Sequence, residues 1–231
     1  MSILNTTHQT IIVKTLPPHI PKELVIKFLH NHHKMITMNP LVADYFALAE
    51  EESKNFFKHE HPDHKPPLDY MGREIPVPVY SITDDMTRPG RDGQAANGGW
   101  TKKFVPEKIT YSASMRNLSN GLLSVTHAPM GIHSVTTWLV KETYDGQLVI
   151  EERGLMTSNR LLMGFIKSTL HDSHDKLLSD IVTELINEAE RENNLRTRER
   201  ARHGRGPSFD NTQQQEQWET RYSRDMGKSW I

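Results

Sequence analysis

Histidine and carboxylate side chains are the residues of this sequence best suited to chemistry, and their densest group lies at residues 59–64. The segment reads HEHPDH, so three histidines stand next to a glutamate and an aspartate, which are residue types that bind zinc. Pro62 excludes a regular helix across the segment, and metal sites need ordered groups around their ligands, which a loop of this composition seldom provides. We therefore expect a solvated loop that binds nickel or zinc only loosely.

The other histidine groups carry a weaker signal. His30, His32 and His33 end the first predicted helix, where the helix dipole favours imidazolium. His171 and His174 are three residues apart on the last predicted helix, but no HExxH pattern accompanies them. The sequence also has no phosphate-binding glycine loop, no dinucleotide fingerprint and no G-x-S-x-G nucleophile motif. We expect no bound metal and no cofactor.

Composition and charge narrow the class of protein. The 231 residues include 28 Lys and Arg against 29 Asp and Glu, giving a net charge of −1, and there is no cysteine. The charge balance argues against nucleic acid as a partner, and the lack of cysteine excludes disulfides, thiolate-bound metals and a cysteine nucleophile. No apolar run approaches the ~20 residues of a membrane span, and the opening residues lack the pattern of a secretory signal. We therefore expect a cytoplasmic protein without a membrane span.

Periodicity predicts an α+β protein made of one strand, two short helices, a run of strands and one long helix. The first strand covers residues 5–15, and Leu24 to Leu29 follow at helical spacing. Further strands are predicted at 41–49, 77–83, 109–115, 122–128, 133–142 and 147–156. The long helix begins near Ser158 or Asn159, and one stripe is expected to be buried: Leu162, Ile166, Leu170, Leu177, Ile181 and Leu185.

The same pattern predicts the domain organisation. Residues 1–187 form one ligand-binding domain with insertions at 50–74 and 86–104. Residues 188–231 lose the apolar stripe and are expected to form a charged helical extension and a flexible tail. A curved antiparallel sheet that grips the long helix satisfies this order of elements and would enclose an apolar cavity.

Four segments carry a resemblance to known proteins: FLHNHHKMITMNPLV, YSITD from Tyr80, ITYSASMRNLSNGLLSVTHAPMG from Ile109 and LMTSNRLLMGFIKSTLHDSHDKLL from Leu155. Together they resemble an uncharacterised fungal family with helix-grip architecture, over most of residues 5–185. That architecture is shared by START-like lipid-transfer domains, pollen-allergen-like plant proteins and bacterial polyketide aromatase/cyclases (the SRPBCC group). The resemblance implies a fold with a ligand cavity, and it implies no particular activity.

Candidate site residues follow from strand alternation, which sends every second side chain to one face. The more apolar set is assigned inward: Tyr80, Ile82, Ile109, Tyr111, Ala113, Met115, Leu123, Val125 and His127. On the last two strands, the choice of the inward face stays open. If Leu148 and Ile150 point inward, Glu152 points inward with them, whereas His133 shares a face with Val135. Leu162 and Ile166 of the long helix are expected to complete the pocket.

These residues predict a protein that encloses a hydrophobic small molecule, an intermediate of fungal secondary metabolism. His127 and Tyr111 are the expected hydrogen-bond donors to a ligand carbonyl, and Glu152 is the third candidate catalytic group. The favoured activity is a cofactor-free cyclase or isomerase, including Diels–Alder-type cyclisation, acting by proximity and orientation. Two alternative functions stay open: a non-catalytic lipid or sterol carrier or sensor, and an interaction protein. A homodimer is the oligomeric state that stays open for the binding protein.

Overall fold

A computed structural model describes residues 5–88 and 106–203 of the chain, with the backbone alone for residues 161–162, 164–173 and 201–203. Most of the predicted 86–104 insertion and the tail beyond residue 203 lie outside the described residues. The chain divides into two compact units, residues 1–189 and 190–231. The sheet and the candidate sites all belong to the first unit.

A single antiparallel sheet is the centre of the first unit. Its strand order in the described part of the chain is β1-β7-β6-β5-β4-β3-β2. The first strand therefore pairs with the last, and the sheet continues back to the second strand at its other edge. The strands are β1 (Asn5–Thr15), β2 (Val42–Ala47), β3 (Val79–Asp85), β4 (Lys108–Leu118), β5 (Gly121–Ala128), β6 (Ile132–Glu142) and β7 (Leu148–Asn159).

Helices join and cover the sheet. Two short helices connect the edge strands β1 and β2, and the longest helix starts at the residue after β7, so it turns back over the sheet. The helices are α1 (Lys22–Leu29), α2 (His32–Thr37), α3 (Glu50–Phe57) and α4 (Arg160–His203), with a 3-10 turn at Pro62–His64. A curved antiparallel sheet with a long C-terminal helix is the helix-grip fold, so the predicted fold class is confirmed. Over the described ranges, no helix combines the length and apolar character needed to cross a membrane.

One face of the sheet, the inner face, packs against α4. Leu178, Ile181 and Leu185 of α4 are fully buried there. They share one apolar cluster with side chains from α1, α2 and most strands: Ile12, Leu16, Leu24, Val25, Phe28, Leu29, Met35, Ile36, Ile82, Ala113, Met115, Leu122, Trp138, Val140 and Ile150. Each such side chain contributes about 1.5–3 kcal/mol when fully buried, so this cluster holds the helix to the sheet.

The opposite face, the outer face, is also covered. Phe56 and Phe57 at the end of α3 pack there on sheet residues Val77, Val79, Leu123, Val125 and Val135. Helix α3 begins with three glutamates, which suit a helix N-terminus, and the Glu52 carboxylate accepts the backbone N–H of Ala49. Helix α3 therefore covers part of the outer face, and the expectation that the segment is entirely a solvated loop is wrong for α3.

The β4–β5 hairpin fixes which side chains of β5 lie on each face. A two-residue turn at Ser119 and Asn120 joins the two strands, and Leu118 pairs with Gly121. A Cβ atom at Gly121 would lie 1.9 Å from the carbonyl oxygen of Trp138, so only glycine fits at this crossing with β6. A slip of one residue would exchange the two faces of a strand. The observed register places Leu122 on the inner face and Leu123 on the outer face.

Candidate functional site

The centre of the inner face carries small and hydroxyl-bearing side chains. Thr10, Gly154, Thr136, Ser124 and Met115 form one row across β1, β7, β6, β5 and β4. The three hydroxyl residues of this row are buried. A Cβ atom at Gly154 would come within 2.6 Å of the Thr10 hydroxyl oxygen, so the row is packed closely at that end. The inner face is therefore polar at its centre and apolar where Leu178, Ile181 and Leu185 pack.

A buried carboxylate lies beside this row. Glu152 on β7 is 1% exposed, and its Oε1 accepts a hydrogen bond from His174 Nδ1 on α4. Because α4 returns antiparallel along the sheet, a helix residue 22 positions later in the sequence reaches the strand. The second oxygen, Oε2, is buried and has no hydrogen-bond partner among the described residues. Within the described residues, Glu152 therefore presents an unpaired acceptor inside the protein.

A buried donor lies directly across from Glu152. Trp138 on β6 pairs with Glu152 in the strand register, so the two side chains project from the same face. The indole Nε1 of Trp138 is buried and, like Glu152 Oε2, lacks a partner within the described residues. An indole nitrogen only donates and a carboxylate oxygen accepts, so the pair offers one hydrogen bond of each kind to a bound molecule.

A second buried carboxyl group lies towards the β2 edge of the inner face. Asp84 Oδ2 accepts from the Asn39 amide nitrogen at 3.1 Å, and Asp84 Oδ1 accepts from the Tyr111 hydroxyl at 3.4 Å. Burial raises the pKa of Asp84 to about 6, although both hydrogen bonds act to lower it. Burial and the nearby Asp84 charge raise the pKa of Tyr111 above its usual range. The Tyr111 hydroxyl is thus engaged with Asp84.

Replacing Asp84 with Asn is expected to change the pH dependence of stability. The folded-state pKa of about 6 exceeds the ordinary 3.8, so between these values the folded state binds more protons than the unfolded state. The free energy of unfolding is therefore highest below pH 3.8, and it falls by about 3 kcal/mol as the pH rises through about 6. Asp84→Asn should be more stable than wild type at pH 7.5 by up to that amount, and the advantage should vanish near pH 4.

Urea unfolding at the two pH values measures this effect. Asp44→Asn is the matched control, because Asp44 is exposed on the neighbouring strand β2. An equal pH response of the two variants would show that burial of Asp84 is not the source.

The histidines predicted to line the pocket lie on the outer face. His127 on β5 and His133 on β6 are directly paired, and both rings approach Glu60 from the 50–74 segment. Glu60 Oε1 is 2.6 Å from His127 Nε2 and 3.2 Å from His133 Nε2. Burial acts to raise the pKa of Glu60, but the hydrogen bonds and charges of the two histidines outweigh it and hold the pKa below its usual range.

The structure separates the predicted site residues into two groups. Those of β3 and β4 lie on the inner face as alternation predicts, with Tyr80, Ile82, Tyr111, Ala113 and Met115 in or against the inner cluster and Ile109 paired with Asp84. Glu152 also lies on this face. The inward assignment of Leu123, Val125 and His127 is corrected, because these side chains lie on the outer face. His133, whose face the sequence left open, lies there with them. The side chains of Leu162 and Ile166 fall outside the described residues.

Sequence reasoning missed Trp138 and Asp84, and it did not connect His174 with Glu152 or Glu60 with His127 and His133. An inward Glu152 already signalled a partner, since a buried carboxylate requires a hydrogen-bond donor. The adjacent Phe56 and Phe57 signalled that the 50–74 segment docks, because two neighbouring aromatic rings seldom stay in water. No signal in the sequence pointed to Trp138.

Comparisons with known proteins give one family and several distant structures. No curated protein matches the chain. The crystal structure of Ara h 8.0201 has a TM-score of 0.46 at 8% identity, covering 79% of this chain and 99% of that chain. SA2116, a protein of unknown function from Staphylococcus aureus, has a TM-score of 0.45 at 13% identity, covering 81% and 98%. Similarities at this level carry no information on activity.

The family match is a similarity of sequence. Residues 5–187 match the sequence profile of a family described as "Domain of unknown function (DUF7053)". This range runs from the start of β1 into the part of α4 that packs on the sheet, so it includes both the inner face and the Glu60 segment. The chain belongs to the DUF7053 family.

Proposed function

We propose that the inner face, closed by α4, binds a hydrophobic small molecule that carries a polar group, and that Glu152 contacts that group. The observation that supports this most is the Glu152 carboxylate, whose buried Oε2 has no partner among the described residues. Native proteins rarely leave a buried carboxylate oxygen unpaired, and a bound molecule would supply the missing donor. Apolar surroundings with a few convergent polar groups are typical of small-molecule sites.

The favoured activity is that of a cofactor-independent isomerase or cyclase. Glu152 Oε2 would take a proton from a ligand carbon next to a carbonyl group, while Trp138 Nε1–H donates a hydrogen bond to the carbonyl oxygen. Return of the same proton to a different carbon completes an isomerisation, so no oxidant, reductant or second substrate is consumed. His174 acts as a positioning residue, because it holds Oε1 and thereby orients Oε2.

Two parts of the sequence-based hypothesis continue as proposals. An intermediate of fungal secondary metabolism, cyclised in a Diels–Alder-type reaction, would use the same pocket by being held in a reactive conformation. A lipid or sterol carrier would also use this pocket and would differ only in releasing its ligand unchanged. Genes that neighbour the coding sequence would separate the two settings, since a biosynthetic cluster favours catalysis.

Glu152→Gln is expected to weaken ligand binding by about 10-fold or more, because a hydrogen bond to a charged group contributes about 1.5–3 kcal/mol. The probe is 1-aminoanthracene, a neutral apolar fluorophore whose amino group can donate to Glu152 Oε2. Its fluorescence on titration into the protein gives the Kd. Conversion is followed by incubating the protein with a β,γ-unsaturated ketone and measuring the ultraviolet absorbance of the conjugated α,β-unsaturated isomer.

Glu151→Gln is the matched control. Glu151 is the same residue type at the adjacent position, but it points to the outer face and pairs with Lys141 at 2.7 Å. Equal effects of the two substitutions, or no saturable binding to the wild type, would contradict a ligand site at Glu152. Saturable binding without formation of the conjugated isomer would overturn the catalytic part of the proposal and favour a carrier.

A further inference from the structure

We propose that Glu60, His127 and His133 bind one divalent transition-metal ion, of which Zn²⁺ is the probe, on the outer face of the sheet. The two imidazole Nε2 atoms and a carboxylate oxygen all lie within 4.8 Å of one another. Two imidazoles and one carboxylate are a ligand set suited to zinc, and also to iron, nickel and copper. This site is separate from the inner-face pocket and does not depend on the function proposed for it.

The distances already approach those of a coordination sphere. Ligand bonds to zinc are about 2.0–2.2 Å long, so two ligand atoms of a tetrahedral site lie about 3.4 Å apart. Glu60 Oε1 is 3.2 Å and Oε2 is 3.3 Å from His133 Nε2. The contact between Glu60 Oε1 and His127 Nε2, at 2.6 Å, would have to lengthen by less than about 1 Å. Side-chain rotation alone can supply such a change.

The two histidines are held by the sheet. They are directly opposite each other on β5 and β6, and their ring centroids are 5.2 Å apart. Phe56 of α3 stacks on the His127 ring with centroids 4.2 Å apart and planes at 19°. This stacking holds the plane of the His127 ring while its Nε2 approaches Glu60. Two of the three ligands are therefore fixed before any metal arrives, which lowers the entropic cost of binding.

The third ligand is held by the 50–74 segment. Phe56 and Phe57 anchor the start of this segment on the outer face. Beyond Glu60, the Arg116 guanidinium of β4 donates to the carbonyl oxygens of Asp63 and Lys65, each at 2.9 Å. The chain is thus fixed on both sides of Glu60, and the Glu60 side chain is only 6% exposed. This order removes the reason for which the HEHPDH segment was expected to bind metal only loosely.

A further histidine completes the surroundings. His64 Nδ1 is buried, lacks a hydrogen-bond partner among the described residues and lies 3.6 Å from Glu60 Oε2. When Glu60 coordinates through Oε1, a proton on His64 Nδ1 can be donated to Oε2, and such outer contacts orient a ligand and raise its basicity. The His127 and His133 side chains are 37% and 36% exposed, so an ion can enter and keep a water or substrate ligand.

Without a metal, the same three groups would form a hydrogen-bonded clamp that attaches the segment to the sheet. The clamp and the metal site make different predictions. Tag-free protein is dialysed against a chelator and titrated with Zn²⁺ by calorimetry and with Co²⁺ by visible absorption. We expect one equivalent to bind, and we expect Zn²⁺ to raise the Tm by several degrees, since an ion that binds only the folded state stabilises it.

His127→Gln and His133→Gln are each expected to weaken Zn²⁺ binding by about 100-fold or more, because loss of an outer contact alone typically costs 10–100-fold. His61→Ala is the matched control, since His61 belongs to the same segment but is 65% exposed and is not one of the cluster's three ligands. An equal loss in the control would show binding by exposed histidines and would overturn the proposal.

Glu60→Gln is titrated in place of a histidine variant that fails to fold. This variant is expected to fold, because the glutamine amide oxygen can still accept a hydrogen bond from one of the two imidazole rings. Circular dichroism establishes the fold of each variant before titration. Absence of one-to-one binding to the wild type, or a wild-type Tm unchanged by saturating Zn²⁺, would leave the clamp as the correct description.

Discussion

His174→Ala is expected to destabilise the protein by about 3–5 kcal/mol, the typical cost of removing one partner of a buried charged pair. The Glu152 side chain has no exposed surface, and the hydrogen bond from His174 Nδ1 is its contact with α4. Without the imidazole, neither oxygen of Glu152 would have a donor among the described residues. The free energy of unfolding from urea titration measures the loss.

A double-mutant cycle separates this effect from the loss of packing. Glu152→Gln in the His174→Ala background should recover at least half of the lost stability, because a neutral amide costs far less to bury than a carboxylate. Lys14→Ala is the control, since Lys14 pairs with the adjacent helix residue Asp175, with side chains 29% and 45% exposed. Exposed pairs contribute about 0–1 kcal/mol. A loss in His174→Ala no larger than in Lys14→Ala would contradict a buried pair.

Strand alternation was sufficient for β3 and β4 because the inner face carries most of the apolar side chains of these strands. On β4, the inner Tyr111, Ala113 and Met115 alternate with the more polar Ser112 and Ser114. The set with the larger and more apolar side chains therefore indicated which face packs on α4. The same rule also placed Leu148, Ile150 and Glu152 together, which is the face that they share in the structure.

The rule failed for β5 because that strand is buried on both faces. Leu122 faces α4, whereas Leu123 and Val125 face α3, so apolar character does not distinguish the two sides. The inner residues after Leu122 are Ser124 and Thr126, and the outer set reads as the more hydrophobic one. The error followed from treating the outer face as solvent, and it moved His127 to the wrong side of the sheet.

Segment 50–74 shows the limit of reasoning from composition. Its charge, histidine and proline content is typical of a solvated loop, yet its two phenylalanines supply enough apolar surface to dock α3. The cluster brings Glu60 together with His127 and His133, which lie 67 and 73 positions later in the sequence. Such a contact depends on the sheet register and on the docking of α3, and neither is encoded locally around residue 60.

The phase of α4 was predictable in part. The expected stripe includes Ile181 and Leu185, which are fully buried, and Leu177, which is only half-buried beside the fully buried Leu178. Spacings of three and four residues both satisfy a helical stripe, so the sequence alone does not decide between Leu177 and Leu178. Ile181 is buried under either choice.

Ile181→Asp is expected to unfold the protein or to cost more than about 4 kcal/mol of stability. Ile181 is 0% exposed and packs among apolar side chains of the inner cluster. The substitution removes about 2–5 kcal/mol of packing, as an alanine would, and adds the cost of a buried carboxyl group. Ile181→Ala measures the first contribution, so the difference between the two variants gives the second. Asn187→Asp adds the same charge at an exposed position of the same helix and should change stability by less than about 0.5 kcal/mol. If Ile181→Asp and Asn187→Asp give equal urea midpoints and the same circular dichroism as wild type, α4 does not present Ile181 to the sheet, and the inner face with Glu152 is covered in some other way.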